Sequence, residues 1–283
     1  MSCSFWRNMQ MALTIKLSDT EAAALEQFAR NKLTEYGKLN DVIGGQIFAI
    51  LGRHARVLYY PLEDDDVWGF VEKTTRGNFV CINTSIEYDK QVFVAAHELY
   101  HILQGSSTEE LTLASSLEID LDKEPSPSLN ELKANRFAAA FLISEGLLSQ
   151  EMRNLTIPRH SISVNHVLQL AGIFVVPYKT MVRRLNELDF IDDEKCKDFL
   201  AITQREIIIK KRRLGILTPI QDNKIVLDNL IEIAMTLYEQ KRITSDKLEQ
   251  ILAYSNLSLE DMGIALHTFS PLTDAEIDAL MEE

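Results

Sequence analysis

The sequence predicts an α+β fold, mostly helical, with a small antiparallel sheet early in the chain, then a helix-turn-helix-like unit and a C-terminal helical region. Three observations carry this. Arg56-Val-Leu-Tyr-Tyr60, Val67 to Lys73 and Asn78 to Asn83 are short runs rich in β-branched and aromatic residues, separated by Pro61, an acidic turn from Glu63 to Asp66, and Gly77. Apolar residues elsewhere recur at helical spacing. Hydrophobic residues make up 46% and charged residues 25%, enough apolar side chain to build a core and too little charge for a disordered chain.

Ser18-Asp-Thr-Glu21 has the form of a capping box, and Ala22, Leu25, Phe28, Ala29 and Leu33 continue it as an amphipathic helix to about Gly37. A second helix is expected near Leu39 to Leu51, ahead of the strands. Asp89 to Gly105 and Ser128 to Ser144 are helical in pattern, and Ser106 to Pro127 between them is polar, acidic and ends in proline, as in a surface loop holding at most a short helix. Ser163 to Asp189 is expected to form two short helices around Gly172. Asn229 to Asp261 is expected to form two or three more, with a boundary at Pro219, Asp222 and Asn223. These elements group into segments 1-158, 159-215 and 216-283, the last expected to be a partner-binding or sensor segment.

The charge balance is 29 − 42 = −13, which excludes a protein that coats nucleic acid with its whole surface. Cys3, Cys81 and Cys196 lie far apart and form no CxxC pair, so neither a disulfide framework nor a thiolate zinc knuckle is expected. The stretch Met1 to Leu17 lacks the continuous apolar core of a signal peptide, and no apolar run approaches the roughly 20 residues that span a bilayer. A cytoplasmic protein is the expectation, with no membrane partner.

His97-Glu98-Leu99-Tyr100-His101 is an HExxH motif inside a segment that is helical by its own periodicity. At 100° per residue, Val92, Ala95, Ala96, Leu99, Ile102 and Leu103 form one apolar arc, and the two histidines lie about 40° apart on the other side. Two imidazoles on one face can share a cation. Glu98 falls between the two faces, where its carboxylate can reach a water on the cation without being a ligand. A tetrahedral site needs a third protein ligand, and Glu131 is the candidate, on a helix whose face continues through Ala134, Asn135, Ala138 and Leu142. Asn135, one turn on, is placed to orient a ligand. The competing reading is that Ser128-Leu-Asn-Glu131 is a capping box and the glutamate only closes a helix end. His160, His166, Glu109 and Glu110 are rival third ligands. Imidazole and carboxylate donors favour Zn2+, with Mn2+ or Fe2+ as alternatives.

These residues together resemble the ImmA/IrrE family of metallopeptidases. The resemblance runs from about Asn78 to Leu142 and rests on Ile82-Asn83, Ala96-His-Glu-Leu99 with His101, and Glu131-x-x-Ala134-Asn135-x-Phe137-Ala138. It implies a zincin-like peptidase domain in which His97, His101 and Glu131 are metal ligands and Glu98 is the catalytic base. It also implies a protein substrate, often a DNA-binding repressor whose cleavage releases genes of a mobile element or a stress response. Tyr100 stands where the family usually has a small residue, and Ser144 where a proline often follows the second helix. Tyr100, Arg136, His160 and Tyr178 are candidates for stabilising an oxyanion, and the sequence selects none of them.

Val164 to Leu185 is the helix-turn-helix-like unit. Lys179, Arg183 and Arg184 on its second helix are offset by Glu187 and Asp189, so the signal for direct DNA binding is weak and a plain packing module is the simpler reading. Arg205 to Arg213 carries five cations against Glu206, a local balance of +4, as in a solvated helix face or one that meets an acidic partner or nucleic acid. The sequence thus supports two functions: a peptidase of one specific protein, and a non-proteolytic transcriptional regulator with a structural metal site.

Overall fold

The computed structural model describes residues 16–64, 66–75, 77–105, 110–115, 128–216 and 223–264. The chain divides into two compact units, Met1–Val226 and Leu227–Glu283, and segments 1-158 and 159-215 lie together in the first.

The first unit opens with α1 (Asp19–Glu35), whose capping box forms in full: Ser18 Oγ accepts from Glu21 N at 3.3 Å, and Glu21 Oε2 accepts from Ser18 N at 3.1 Å. Leu25, Ala29 and Leu33, four apart, are its buried stripe. The second helix, α2 (Gln46–Leu51), starts later than Leu39 because Gly44 takes a left-handed φ of 44° just before it.

β1 (Arg56–Tyr60), β2 (Val67–Thr74) and β3 (Gly77–Asn83) form where expected, yet the sheet is mixed rather than antiparallel. β2 and β3 make an antiparallel hairpin, and β3 inserts between β2 and β1, so β1 runs parallel to β3 with Arg56 opposite Phe79 and Tyr60 opposite Asn83. The connection that permits this is held by Asn83. Its buried amide accepts from Leu62 N at 3.0 Å and donates to the carbonyls of Asp64 (3.2 Å) and Val67 (2.7 Å). A second correction concerns Ser106 to Pro127, expected as a loop with at most a short helix. Glu110–Ser115 within it is a strand, β4, antiparallel to β2. The alternating Leu111 and Leu113 are the period-two signal for it. With the two-residue β5 (Val226–Leu227) the order is β4-β2-β3-β1-β5.

α3 (Tyr88–Leu103) carries the HExxH motif and is buried from Gln91 through His101. A helix enclosed on all sides must have partners on all sides. The sheet covers one side, α4 (Leu129–Leu142) another, and α4 packs in turn on α1. Gly69 in β2 makes the close approach feasible, because a Cβ there would lie 2.8 Å from the Cys81 carbonyl oxygen and 3.2 Å from Val94 Cγ2 of α3.

After α5 (Glu145–Asn154), whose N-cap is Ser144, and a 3-10 turn at Arg159–Ser161, the chain forms α6 (Val164–Phe174) and α7 (Tyr178–Glu187). The break between them is at Val175, with φ 55°, and Gly172 lies inside α6. Pro177 then starts α7, since a proline lacks the donor that a continuing helix requires. Leu168, Phe174, Val182 and Leu185 belong to the same core as α1, α3 and α4. α8 (Asp193–Leu200) and α9 (Gln204–Arg213) follow.

Arg184 on α7 is fully buried. Its guanidinium donates to both Glu26 oxygens (2.9 Å at Oε2), to Glu187 Oε2 at 3.3 Å, and through Nε to the Ile143 carbonyl at 2.9 Å. Arg136 on α4 joins the same two carboxylates, at 2.9 Å to Glu26 and 2.6 Å to Glu187. Two arginines thus offset two glutamates where α1, α4 and α7 meet, as a buried charge requires.

The second unit contains α10 (Leu230–Glu239) and α11 (Ser245–Ala253) around Ala234, Leu248, Leu252 and Leu259. Among the described residues, no helix is long and apolar enough to cross a membrane. Cys81 and Cys196 are buried and joined in no disulfide among the described residues; Cys3 lies outside the described residues.

Candidate metal centre

The expected site residues converge. His97 and His101 project from successive turns of α3, with their Nε2 atoms 3.1 Å apart. Glu131, on the first turn of α4, brings Oε2 to 2.8 Å from His97 Nε2 and Oε1 to 3.4 Å from His101 Nε2. All three residues are buried. The capping alternative for Glu131 is realised only in its backbone half: Ser128 Oγ accepts from Glu131 N at 3.3 Å, but the carboxylate turns to the histidines instead of returning to the helix end. In α1 and α9 the equivalent glutamates, Glu21 and Glu206, close their boxes. The difference is tertiary, because only α4 starts across from two imidazoles.

Asn135 sits where orientation of His97 requires it, its Oδ1 accepting from His97 Nδ1 at 2.9 Å. That bond leaves Nε2 as the ring atom facing Glu131 and His101. Asn130, a residue that sequence reasoning missed, brings its side-chain amide 3.4 Å from His101 Nδ1. The only local signal for it is an amide beside the glutamate in a first turn.

The electrostatics follow from burial and from the carboxylate. Burial disfavours the charge of Glu131, but hydrogen bonds from His101 and His97 outweigh it and hold the carboxyl at about 2. Burial also disfavours protonation of His97, yet Glu131 and Glu98 raise its pKa above the ordinary value. His101 is lowered, first by burial and then by the proton on its neighbour. Lys73 on β2 contributes in the same direction, a second residue the sequence did not single out.

These three residues fit a divalent cation. A tetrahedral centre with metal–nitrogen bonds of about 2.0 Å spaces its ligand atoms roughly 3.3 Å apart. The two Nε2 atoms are 3.1 Å apart, one Glu131 oxygen lies 2.8 Å from His97 Nε2 and the other 3.4 Å from His101 Nε2, and one ligand atom from each residue lies within 4.8 Å of the others. Two neutral imidazoles and one carboxylate are a donor set that zinc, manganese or iron accepts. Glu98, fully buried, precedes Leu99 on the same turn and is close enough to His97 to raise its pKa.

The remaining candidates lie elsewhere. His166 closes the start of α6, its Nδ1 accepting from Ser163 N at 3.2 Å. Glu109, and the side chains of Glu110 and His160, lie outside the described residues. Tyr178 donates to the Phe199 carbonyl at 3.2 Å, and Arg136 belongs to the Glu26 and Glu187 cluster. Tyr100 is buried beside the centre, its ring 5.8 Å from that of His101 and 5.5 Å from that of Phe137. There it fills the space between the two helices.

Residues 53–186 match the IrrE N-terminal-like domain of the Peptidase_M78 family. Over these residues, just under half of its length, the chain is similar to the ImmA/IrrE family, whose peptidases depend on a metal. No protein of curated function matches the chain. Among solved structures, a Mycobacterium tuberculosis transcriptional regulator is similar at 15% identity and a TM-score of 0.39. The likeness covers 58% of this chain and 47% of that one, so this chain corresponds to about half of that protein's length.

Proposed function

We propose that this protein is a cytoplasmic metal-dependent endopeptidase that cleaves one specific protein, a helix-turn-helix transcriptional repressor, and so derepresses genes of a mobile element or a stress response. The observation that carries the reading is the placement of Glu98. A site built only to hold an ion has no use for a further carboxylate buried beside its donors, whereas hydrolysis requires one.

His97, His101 and Glu131 are the residues that would hold the cation, with Asn135 fixing the His97 ring. A cation bound there polarises the scissile carbonyl and makes a water molecule easier to deprotonate. Glu98 accepts the proton that this water gives up and delivers it to the leaving nitrogen as the C–N bond breaks. Burial of His97, Glu98 and His101 keeps bulk water from weakening these interactions. The repressor as substrate rests on the family alone.

The test is Glu98→Gln, assayed beside the wild type for metal content and for cleavage of a purified repressor encoded near the gene. The variant should keep its metal and leave the repressor intact. If it cleaves as the wild type does, Glu98 is not the base. If metal-loaded wild type leaves the repressor whole and binds operator DNA itself, the regulator reading replaces this one.

A further inference from the structure

α9 presents a face that the fold does not use. Arg205, Ile209 and Arg212 stand at i, i+4 and i+7, on one side of the helix, while Ile207 on the other side is its buried anchor. Arg205, Arg212 and Arg213 are exposed, and among the described residues none of them is paired with a carboxylate. Ile209, in the middle of the face, is 39% exposed. Cations in the last turn of a helix are favoured by its dipole, which accounts for Lys210, Lys211, Arg212 and Arg213. The dipole does not account for Arg205, which stands in the first turn where it disfavours a cation. Nor does it account for an exposed isoleucine between arginines. Glu206, the acid on α9 itself, is engaged at the helix end, accepting from Thr203 N at 3.0 Å and from Thr203 Oγ1 at 2.8 Å.

The helix is also tethered to the element that carries the metal centre. Lys211, on a neighbouring face, lies 3.7 Å from Asp89 in the first turn of α3. Asp89 precedes His97 by two turns, about 12 Å along the axis.

We infer that the Arg205–Ile209–Arg212 face of α9 is a docking surface for an acidic segment of the protein substrate, two carboxylates flanking an apolar side chain. This rests on the peptidase reading above and names how that site selects its substrate. An extended chain at about 3.3 Å per residue connects such a segment to the metal centre within on the order of ten residues. Nucleic acid fits less well. The chain as a whole carries −13, which repels a polyanion as large as DNA, and the isoleucine in the middle of the face offers nothing to phosphate.

The test uses the full chain and a fluorescein-labelled peptide of glutamate and leucine, followed by anisotropy, with a lysine-for-glutamate peptide and a labelled DNA duplex in parallel. Wild type should bind the acidic peptide in a salt-sensitive way, and Arg205→Glu/Arg212→Glu should weaken this by about tenfold or more. Metal content and the circular dichroism spectrum should be unchanged in the variant, and Ile209→Ser should weaken binding without altering its salt dependence. No binding by wild type, equal binding by the double variant, or binding of the duplex in place of the peptide would each overturn the inference. Glu98→Gln should bind the peptide as wild type does. If it does while neither protein cleaves a repressor, the peptidase reading falls and the docking face remains as a partner-binding surface.

Discussion

Nδ1 of His97 lies 2.9 Å from Oδ1 of Asn135, a residue one helical turn beyond the carboxylate that His97 faces with its other nitrogen. One helix therefore supplies both a carboxylate that could hold a cation and the acceptor that orients His97 beside it. Asn135→Ala should lower metal affinity by about 10- to 100-fold, and Asn135→Asp should restore much of it, since a carboxylate also accepts from Nδ1. Competition with a chromophoric chelator measures this. Unchanged affinity in the alanine variant would mean that packing alone holds the ring.

Purified protein should contain close to one divalent metal per chain by elemental analysis, because two imidazoles and one carboxylate suffice for an open site. His97→Ala and Glu131→Ala should lose it. Metal at 100-fold above its Kd should raise stability by about 2.7 kcal/mol, visible as a higher Tm that a chelator reverses. A Glu131→Ala protein with full metal affinity would return that residue to a capping role.

Gly69 links the sheet to the metal centre. Gly69→Ala should cost about 1–3 kcal/mol, as the new Cβ would lie 2.8 Å from the Cys81 carbonyl oxygen and 3.2 Å from Val94. Since Val94 lies on the helix that carries both histidines, metal affinity should fall along with the denaturation midpoint. A stability loss with unchanged affinity would show that α3 yields as a rigid body.

Arg184→Leu should destabilise the first unit by about 3 kcal/mol, at the lower end for a broken buried pair because Glu26 keeps some hydration. It should also change the acid dependence. Burial disfavours the charge of Glu26, but Arg184 and Arg136 outweigh that and hold its carboxyl below the ordinary 4.5. The folded state thus binds fewer protons there than the unfolded chain. The stabilisation is complete above about pH 4.5 and is lost as pH falls through the depressed value. Urea midpoints between pH 3 and 6 should decline less steeply in the variant. Parallel declines would place the acid sensitivity elsewhere.

What the sequence determined by itself is local. Helical periodicity put His97 and His101 on one side of α3, and the same rule put Asn135 one turn from Glu131, because side-chain direction repeats with the helix regardless of what surrounds it. The short β-branched runs became β1, β2 and β3 for a similar reason. Tertiary structure decided whatever depends on residues distant in the chain. Ser128 to Glu131 reads the same whether the glutamate caps a helix or faces a cation, and only the packing of α4 on α3 turns it toward His97, 34 positions earlier. The parallel pairing of β1 with β3, and the choice of β2 as the partner of the strand at Glu110–Ser115, are set by neighbours that no local pattern names. Arg184, in sequence one cation among several on a helix-turn-helix-like unit, is buried against Glu26, 158 positions away, where its guanidinium is out of reach of DNA. A side chain's type and phase are written along the chain, and the group that satisfies its charge is set by which helices come to lie together.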